Sequence, residues 1–527
     1  MTQDTGDWRP GPPIRAFAPR PGAVAPRGIG VPAPGATREQ KADDPTRPAN
    51  WEIAALAFQI IVVLLVDEFI GPPAHDALNI FAPVWLMIVL LLGALRMIRI
   101  DPRATLSSLL WFRLATATYF GFGSIVPLLL NPISRLVMAS FYDARTDELL
   151  KLNLVVAVST FLVLGAALLV CALFPRQSAE QTRHRPHARL FYGLLFAGVG
   201  YTVKLLVEVP LNFGAFGSAI KPGLFLQIAQ ISSVGLYLLA FHAFREAKSL
   251  LPLVYALLIF DLFVGALMFS KFSILLPLIM FLLGWLSSSI SVWRIAFAAG
   301  LFISAYTLSQ PLIEFGRTSL EQKYASIAEG GLNERIEIIK QFGDREEGGA
   351  FNEDAQSSWM RLSYVNAGCF AISRYDGGAP GPSLDFAFAT LAPRFLWRDK
   401  PIITDIGIVF NVMATGSARS ASAPGYFADA YWAGGWEGVL LVMPVIGVVF
   451  ALYSRFSINV FARGRWLFFP LVLLAMKMGL RVDGALVSDF LGASVTWAWA
   501  YIGARLLEPR IDALTEIFAR PEDAPTR

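Results

Sequence analysis

The chain has 527 residues, of which 55% are hydrophobic and only 16% charged, 40 of them phenylalanine, with a net charge of +4. Mean hydropathy is +0.54, and a soluble globular chain would carry about 25% charged residues, so that class is excluded. Two cysteines and four histidines without paired spacing exclude a disulfide framework and a structural metal centre. Cations gathered at the ends of apolar blocks fit membrane topology rather than nucleic-acid binding.

Residues 1–50 are rich in Pro, Gly and Arg and hold no apolar h-region, so a disordered cytoplasmic tail is expected, not a cleaved signal peptide. "RPGPPIR" carries a Pro-x-x-Pro spacing, in a segment read mainly as solvated tail. Apolar blocks long enough to cross a bilayer follow at 51–67, 78–95, 107–130, 152–174, 189–208, 222–242, 250–268, 272–287, 291–308, 435–453, 466–481 and 485–506. The expected fold is an all-α polytopic membrane protein of about twelve transmembrane helices with one large outer loop. Nine spans occupy 51–308, the loop 309–434 and three spans 435–507, before a cytoplasmic tail at 508–527.

Charge alternates between the short connections. Arg96, Arg99, Arg103, Arg176, Arg183, Arg185, Arg189, Arg245, Lys248, Arg294, Arg455, Arg463 and Arg465 fall on one side with both tails. The other side has acidic "DEFIGPPAHD" and few cations, mainly Arg135, Arg145, Lys151, Lys221, Lys271 and Arg481. The positive-inside rule puts both termini in the cytoplasm and the long loop outside. Within that loop, "SLEQKYASIAEGGLNERIEIIKQF" reads as two helical pieces broken at Gly330 and Gly331. Trp359, Leu362, Asn366 and Phe370 have helical spacing behind an Asn352 cap. "PSLDFAFATLAPRFLW" is apolar but too short to span, and reads as a surface-lying or re-entrant helix ending at Pro393.

The loop concentrates cations: Arg317, Arg361, Arg374, Arg394, Arg398, Lys400 and Arg419. A guanidinium fork holds phosphate oxygens through two hydrogen bonds, and Trp397 suits the headgroup level, so a lipid-linked phosphate is the expected ligand. A carboxylate beside a sugar hydroxyl can act as general base. Asp429 is the favoured one, beside Tyr431 in the aromatic, Gly-rich "GYFADAYWAGGWEG" that enters the tenth span. Asp399 is read as orienting a neighbouring cation. Inside the spans, Asp261 lies near mid-membrane, Lys204 and Glu208 are spaced to pair on one helix face, and Lys477 and Arg481 lie near the outer end of the eleventh. Cys171 falls in an apolar block and Cys369 in a polar loop, so no bridge joins them.

The order of the loop resembles that of the polysaccharide polymerases of the Wzy-dependent pathway, the O-antigen or oligosaccharide repeat-unit polymerases. "RLSYVNAGCFAISRYDGG" leads through a Gly/Pro turn and a short apolar helix to "APRFLWRDKP", then a Ser/Gly-rich stretch, then "YFADAYWAGGWEGVLL". The likeness covers about 361–440 in motif. Two positions depart from the family pattern: Arg398 stands where a proline is common, and Asp429 where Glu is usual. The resemblance implies an inner-membrane glycosyltransferase of a bacterium that needs no metal, cofactor or nucleotide sugar. It would move a growing chain from its undecaprenyl diphosphate to a new lipid-linked repeat at the outer leaflet. A chain-length regulator and a flippase are the implied partners, besides membrane lipid. On this reading Asp429 is the base. Arg361 and Arg394 are catalytic and hold the diphosphate with Lys400, while Arg317, Arg374, Arg398, Trp397, Arg419, Tyr431, Lys477 and Arg481 line the substrate path.

Three other readings share parts of this pattern. An O-antigen ligase shares the diphosphate chemistry but has another acceptor. A transferase using a polyprenyl-phosphate sugar would place Asp67, Glu68 and Asp76 at its centre. A lipid-linked-oligosaccharide flippase suits twelve spans, with Asp261 as its strongest feature.

Overall fold

A computed structural model describes residues 44–174, 186–214, 223–324, 329–344, 359–391, 397, 405–417 and 421–518. Every regular element among them is helical. Among the described residues, ten helices are long and apolar enough to cross a membrane: α1 (Asn50–Ile70), α2 (Pro72–Ile100), α3 (Ser108–Leu129), α5 (Thr146–Leu173), α6 (His187–Asn212), α7 (Phe225–Arg245), α8 (Lys248–Leu267), α9 (Lys271–Ser288), α10 (Val292–Lys323) and α15 (Tyr426–Ala462). The chain is therefore a multi-pass membrane protein, and exposed Phe69, Trp293 and Leu441 are the kind of side chains lipid would cover. Shorter helices are α4 (Pro132–Phe141), α11 (Leu332–Gly343), α12 (Val365–Asp376), α13 (Ala387–Leu391) and α14 (Asp405–Thr415). The last two expected spans are also helical. One is the shorter apolar segment Trp466–Leu480, whose main part is α16 (Phe469–Leu480), and the other is α17 (Ala493–Phe518).

Local sequence explains the helix starts. Ser107, Asn131, Ser270 and Ser291 each accept a backbone N–H of their own first turn, satisfying a donor that the helix leaves orphaned. Glu52 and Glu148 accept the N–H of Ala49 and Arg145 in the same way. The bundle then packs α5 along α15, α7 against α6 and α9, and α16 against α3, while α12 lies on both α15 and α5.

Five sequence expectations meet a different local structure. The helix of the ninth span continues past 308: α10 runs on to Lys323, its first half largely exposed and Gln310, Ile313, Gly316 and Leu320 of its second half buried. The helix that carries the tenth span begins at Tyr426 and bends at Gly434–Gly435 instead of starting there. Gly435 has φ +58, and a Cβ on it would lie 2.6 Å from the Tyr375 ring, so the bend requires glycine. The helix around Asn366 starts at Val365, with Trp359 and Leu362 in a separate turn before it, and Cys369 is not in a polar loop but fully buried. The proposed cap Asn352 lies outside the described residues, as do Pro393 and Asp399.

The fifth concerns Lys204. It does not pair with Glu208, because the Lys204–Glu208 segment is a π-helical turn that breaks the four-residue spacing. Lys204 Nζ instead reaches Asp261 Oδ1 at 2.6 Å, and Tyr201 donates to Asp261 Oδ2 at 2.7 Å. Both Asp261 oxygens are thus held across the α6–α8 interface. Lys204→Met is expected to cost about 3–5 kcal/mol by stranding a buried carboxylate, and Asp261→Asn in the same chain to recover part of it. Denaturant titration in detergent measures both.

Candidate functional site

The site begins at a strained turn. Phe269, fully buried between α8 and α9, has φ 47, the left-handed region that costs a bulky residue roughly 1–2 kcal/mol. Two features of α10 hold it. Arg317 Nε donates to the Phe269 carbonyl at 2.9 Å. Gly316 leaves room for the ring, since a Cβ there would sit 2.1 Å from it. The turn feeds directly into Ser270, the cap of α9, and Lys271. Lys271 Nζ lies 5.9 Å over the Tyr306 ring, and its charge interacts with those of Arg361, Asp483, Arg317 and Arg481. Gly316→Ala should push the Phe269 ring out and misplace Lys271 and Arg317 together. The expected result is a loss of about 1–3 kcal/mol of stability with the protein still inserted, checked by denaturant titration beside membrane fractionation.

The second wall comes from α16 and the loop after it. Lys477 Nζ donates to Gln230 Oε1 at 2.5 Å and lies 5.0 Å over the Phe272 ring. Arg481 caps the helix, 3.2 Å from Asp489 Oδ1 and 3.7 Å from Asp483 Oδ1. Asp489 and Asp483 are its countercharges. Residues 482–486 are fixed from three directions: Tyr426 N–H donates to Val482 O at 2.9 Å, Leu486 N–H to Asp429 Oδ2 at 2.7 Å, and Tyr364 Oη to Asp483 Oδ2 at 2.9 Å. Burial, then the Asp483 charge, pushes the Tyr364 phenol up, so it remains a donor. Arg361, in the turn before α12, closes the ring with Nη2 3.8 Å from Glu314 Oε1 of α10.

Among the described residues, Lys271, Arg317, Arg361, Lys477 and Arg481 thus share one region with the carboxylates Glu314, Asp483 and Asp489. Four of these cations come from the sequence prediction. Lys271 was legible only as a topology charge; the signal that could have raised it is a lysine directly after a helix-capping serine on a side poor in cations.

Asp429 lies beside this region but is closed. It is fully buried, with Oδ1 accepting from Ser383 Oγ at 2.6 Å and Oδ2 from Leu486 N–H. The carboxylate therefore ties α15 to the loop carrying Asp483 and Asp489. Tyr431 belongs to another group: it donates to Asp376 Oδ1 at 3.0 Å, while Lys151 reaches Asp376 Oδ2 at 2.6 Å and covers the Tyr431 ring at 5.1 Å. Arg374 is exposed in the last turn of α12, and Trp397 is exposed. Arg394, Arg398, Lys400 and Arg419 lie outside the described residues.

Chemically, the region offers flexible ammonium and forked guanidinium donors to an anion with several oxygens. No group of three His, Cys, Asp or Glu among the described residues is arranged to hold a metal ion. No family model, no curated protein and no solved structure matches the chain.

Proposed function

We propose that the chain is a membrane glycosyltransferase that polymerises undecaprenyl-diphosphate-linked oligosaccharide repeats into a surface polysaccharide. The observation that carries this reading is the convergence of Lys271, Arg317, Arg361, Lys477 and Arg481 at one end of an apolar bundle. A diphosphate leaving group gains negative charge as the glycosidic bond breaks, and fixed cations stabilise that charge without reorganising. The resemblance of 361–440 to the repeat-unit polymerases supplies the substrate class. The charge pattern of the short connections supports twelve spans in the cytoplasmic membrane of a bacterium, with both termini inside and 309–434 outside. Arg394 and Lys400, in the same motif, extend the diphosphate site.

The transporter reading rests on Asp261, which accepts from Lys204 and Tyr201 inside the bundle. The two readings differ in product. Deleting the gene should leave single repeats on lipid at the outer leaflet, open to external glycosidase. Single repeats protected inside the cell would contradict the polymerase reading and favour a flippase.

A further inference from the structure

The cations account for an anion, but they leave part of the same region unexplained. Gln310 Oε1, Glu314 Oε2, Ser363 Oγ and Asp483 Oδ1 are buried and make no hydrogen bond. Asp483 Oδ1 has only the 3.7 Å approach of Arg481, and Gln310 is 1% exposed. Buried polar atoms are nearly always paired, so such a group calls for a ligand or solvent donor.

Their placement is not scattered. Tyr306, Gln310, Glu314 and Arg317 follow at helical spacing along one stripe of α10. Ser363 adjoins Tyr364, whose hydroxyl holds the other oxygen of Asp483. Gln310 Oε1 and the two carboxylate oxygens are acceptors only, and Ser363 Oγ can both donate and accept. A fully ionised diphosphate has no proton to donate and cannot satisfy the acceptors. A saccharide can, because each hydroxyl donates one hydrogen. The region therefore has two chemical halves, donors for the diphosphate and acceptors for hydroxyls, and they meet where Glu314 Oε1 lies 3.8 Å from Arg361.

We infer that Glu314, with Asp483, receives the hydroxyls of the acceptor saccharide, and that Glu314 is the proton acceptor of the transfer. This rests on the polymerase reading. In the step, the acceptor hydroxyl oxygen bonds to the anomeric carbon of the donor glycan while that carbon's bond to the diphosphate oxygen breaks. The electron pair leaves with the diphosphate, held by Arg361, Arg317 and Lys271, and the hydroxyl proton passes to the Glu314 carboxylate. The Glu314 side chain is 39% exposed, so rotation about its last bond can present either oxygen to a bound sugar.

The test uses the full chain in lipid vesicles with an undecaprenyl-diphosphate-linked repeat as donor and acceptor. Ladder rate, binding of undecaprenyl diphosphate without sugar, and unfolding temperature are measured for each variant. Glu314→Gln is expected to slow the ladder by about 100-fold or more, while lipid-diphosphate binding and unfolding temperature stay at the wild-type level. Glu314→Asp should recover part of the rate. A Gln variant with the wild-type ladder rate overturns the inference. So does one that loses lipid-diphosphate binding or unfolds, because Glu314 would then be only the countercharge of Arg361. A wild-type protein that makes no ladder defeats the polymerase reading itself, whatever the variants do.

Discussion

Arg361→Ala is expected to lower ladder formation by about 100- to 1,000-fold, the range for removing one fixed donor from a developing negative charge. The protein should insert and unfold as the wild type does. Arg361 sits in a turn, 41% exposed, and its one close partner among the described residues is Glu314 at 3.8 Å. An exposed pair at that distance contributes about 1 kcal/mol or less to stability. Activity and stability should therefore separate. Arg361→Lys should recover part of the rate, since it keeps the charge but loses the fork. Normal polymer length in the Ala variant would remove Arg361 from the diphosphate site. Arg481→Ala makes the contrasting case: it should lose activity and stability together, because Asp483 and Asp489 both lean on that guanidinium.

Arg113→Ala is expected to destabilise the bundle by about 3–5 kcal/mol. Arg113 and Glu52 are both 0% exposed. Arg113 Nε and Nη2 donate to Glu52 Oε2 at 2.9 and 2.8 Å, and Nη1 reaches Met97 Sδ at 3.0 Å. Glu52 Oε1 accepts the Ala49 N–H at 2.9 Å, so the pair ties the start of α1 to α2 and α3. Removing the arginine leaves a carboxylate with no counterion in an apolar interior. Glu52→Gln combined with Arg113→Met removes both charges and should cost clearly less than Arg113→Ala alone. Denaturant titration of the two variants beside the wild type in detergent measures the difference, and equal losses in single and double variants would contradict the account.

The spans were legible in the sequence because one solvent, the lipid core, imposes one rule: about twenty apolar residues with every backbone group satisfied inside the helix. Where a helix stops is a different matter. The polar run after 308 reads as loop, yet α10 continues through Gln310, Glu314 and Arg317, because its second half packs against the turn at Phe269 and against α11. Arg335 of α11 fixes that arrangement by donating to the carbonyls of Gly330, Leu267 and Asn212 at 2.8–2.9 Å, contacts that no spacing rule contains.

The site was half legible for the same reason. Arg317, Arg361, Lys477 and Arg481 stand out by charge in an oily chain. Their common region depends on the left-handed turn at Phe269 and on the loop after α16, which are tertiary facts. Asp429 stands out by its aromatic, Gly-rich surroundings, while its burial and its contacts with Ser383 and the Leu486 N–H are tertiary facts that no spacing rule contains. Lys204 misled through spacing: four residues apart implies a pair only in a regular α-helix, and a π-helical turn intervenes.

The most direct measurement of the central claim is made with purified protein in vesicles, an undecaprenyl-diphosphate-linked repeat as sole substrate and chelator in place of added metal. The account predicts a ladder of glycans that grows by one repeat per step, with free undecaprenyl diphosphate released in equal amount. Single repeats that stay unchanged, or that only cross the bilayer, would contradict it.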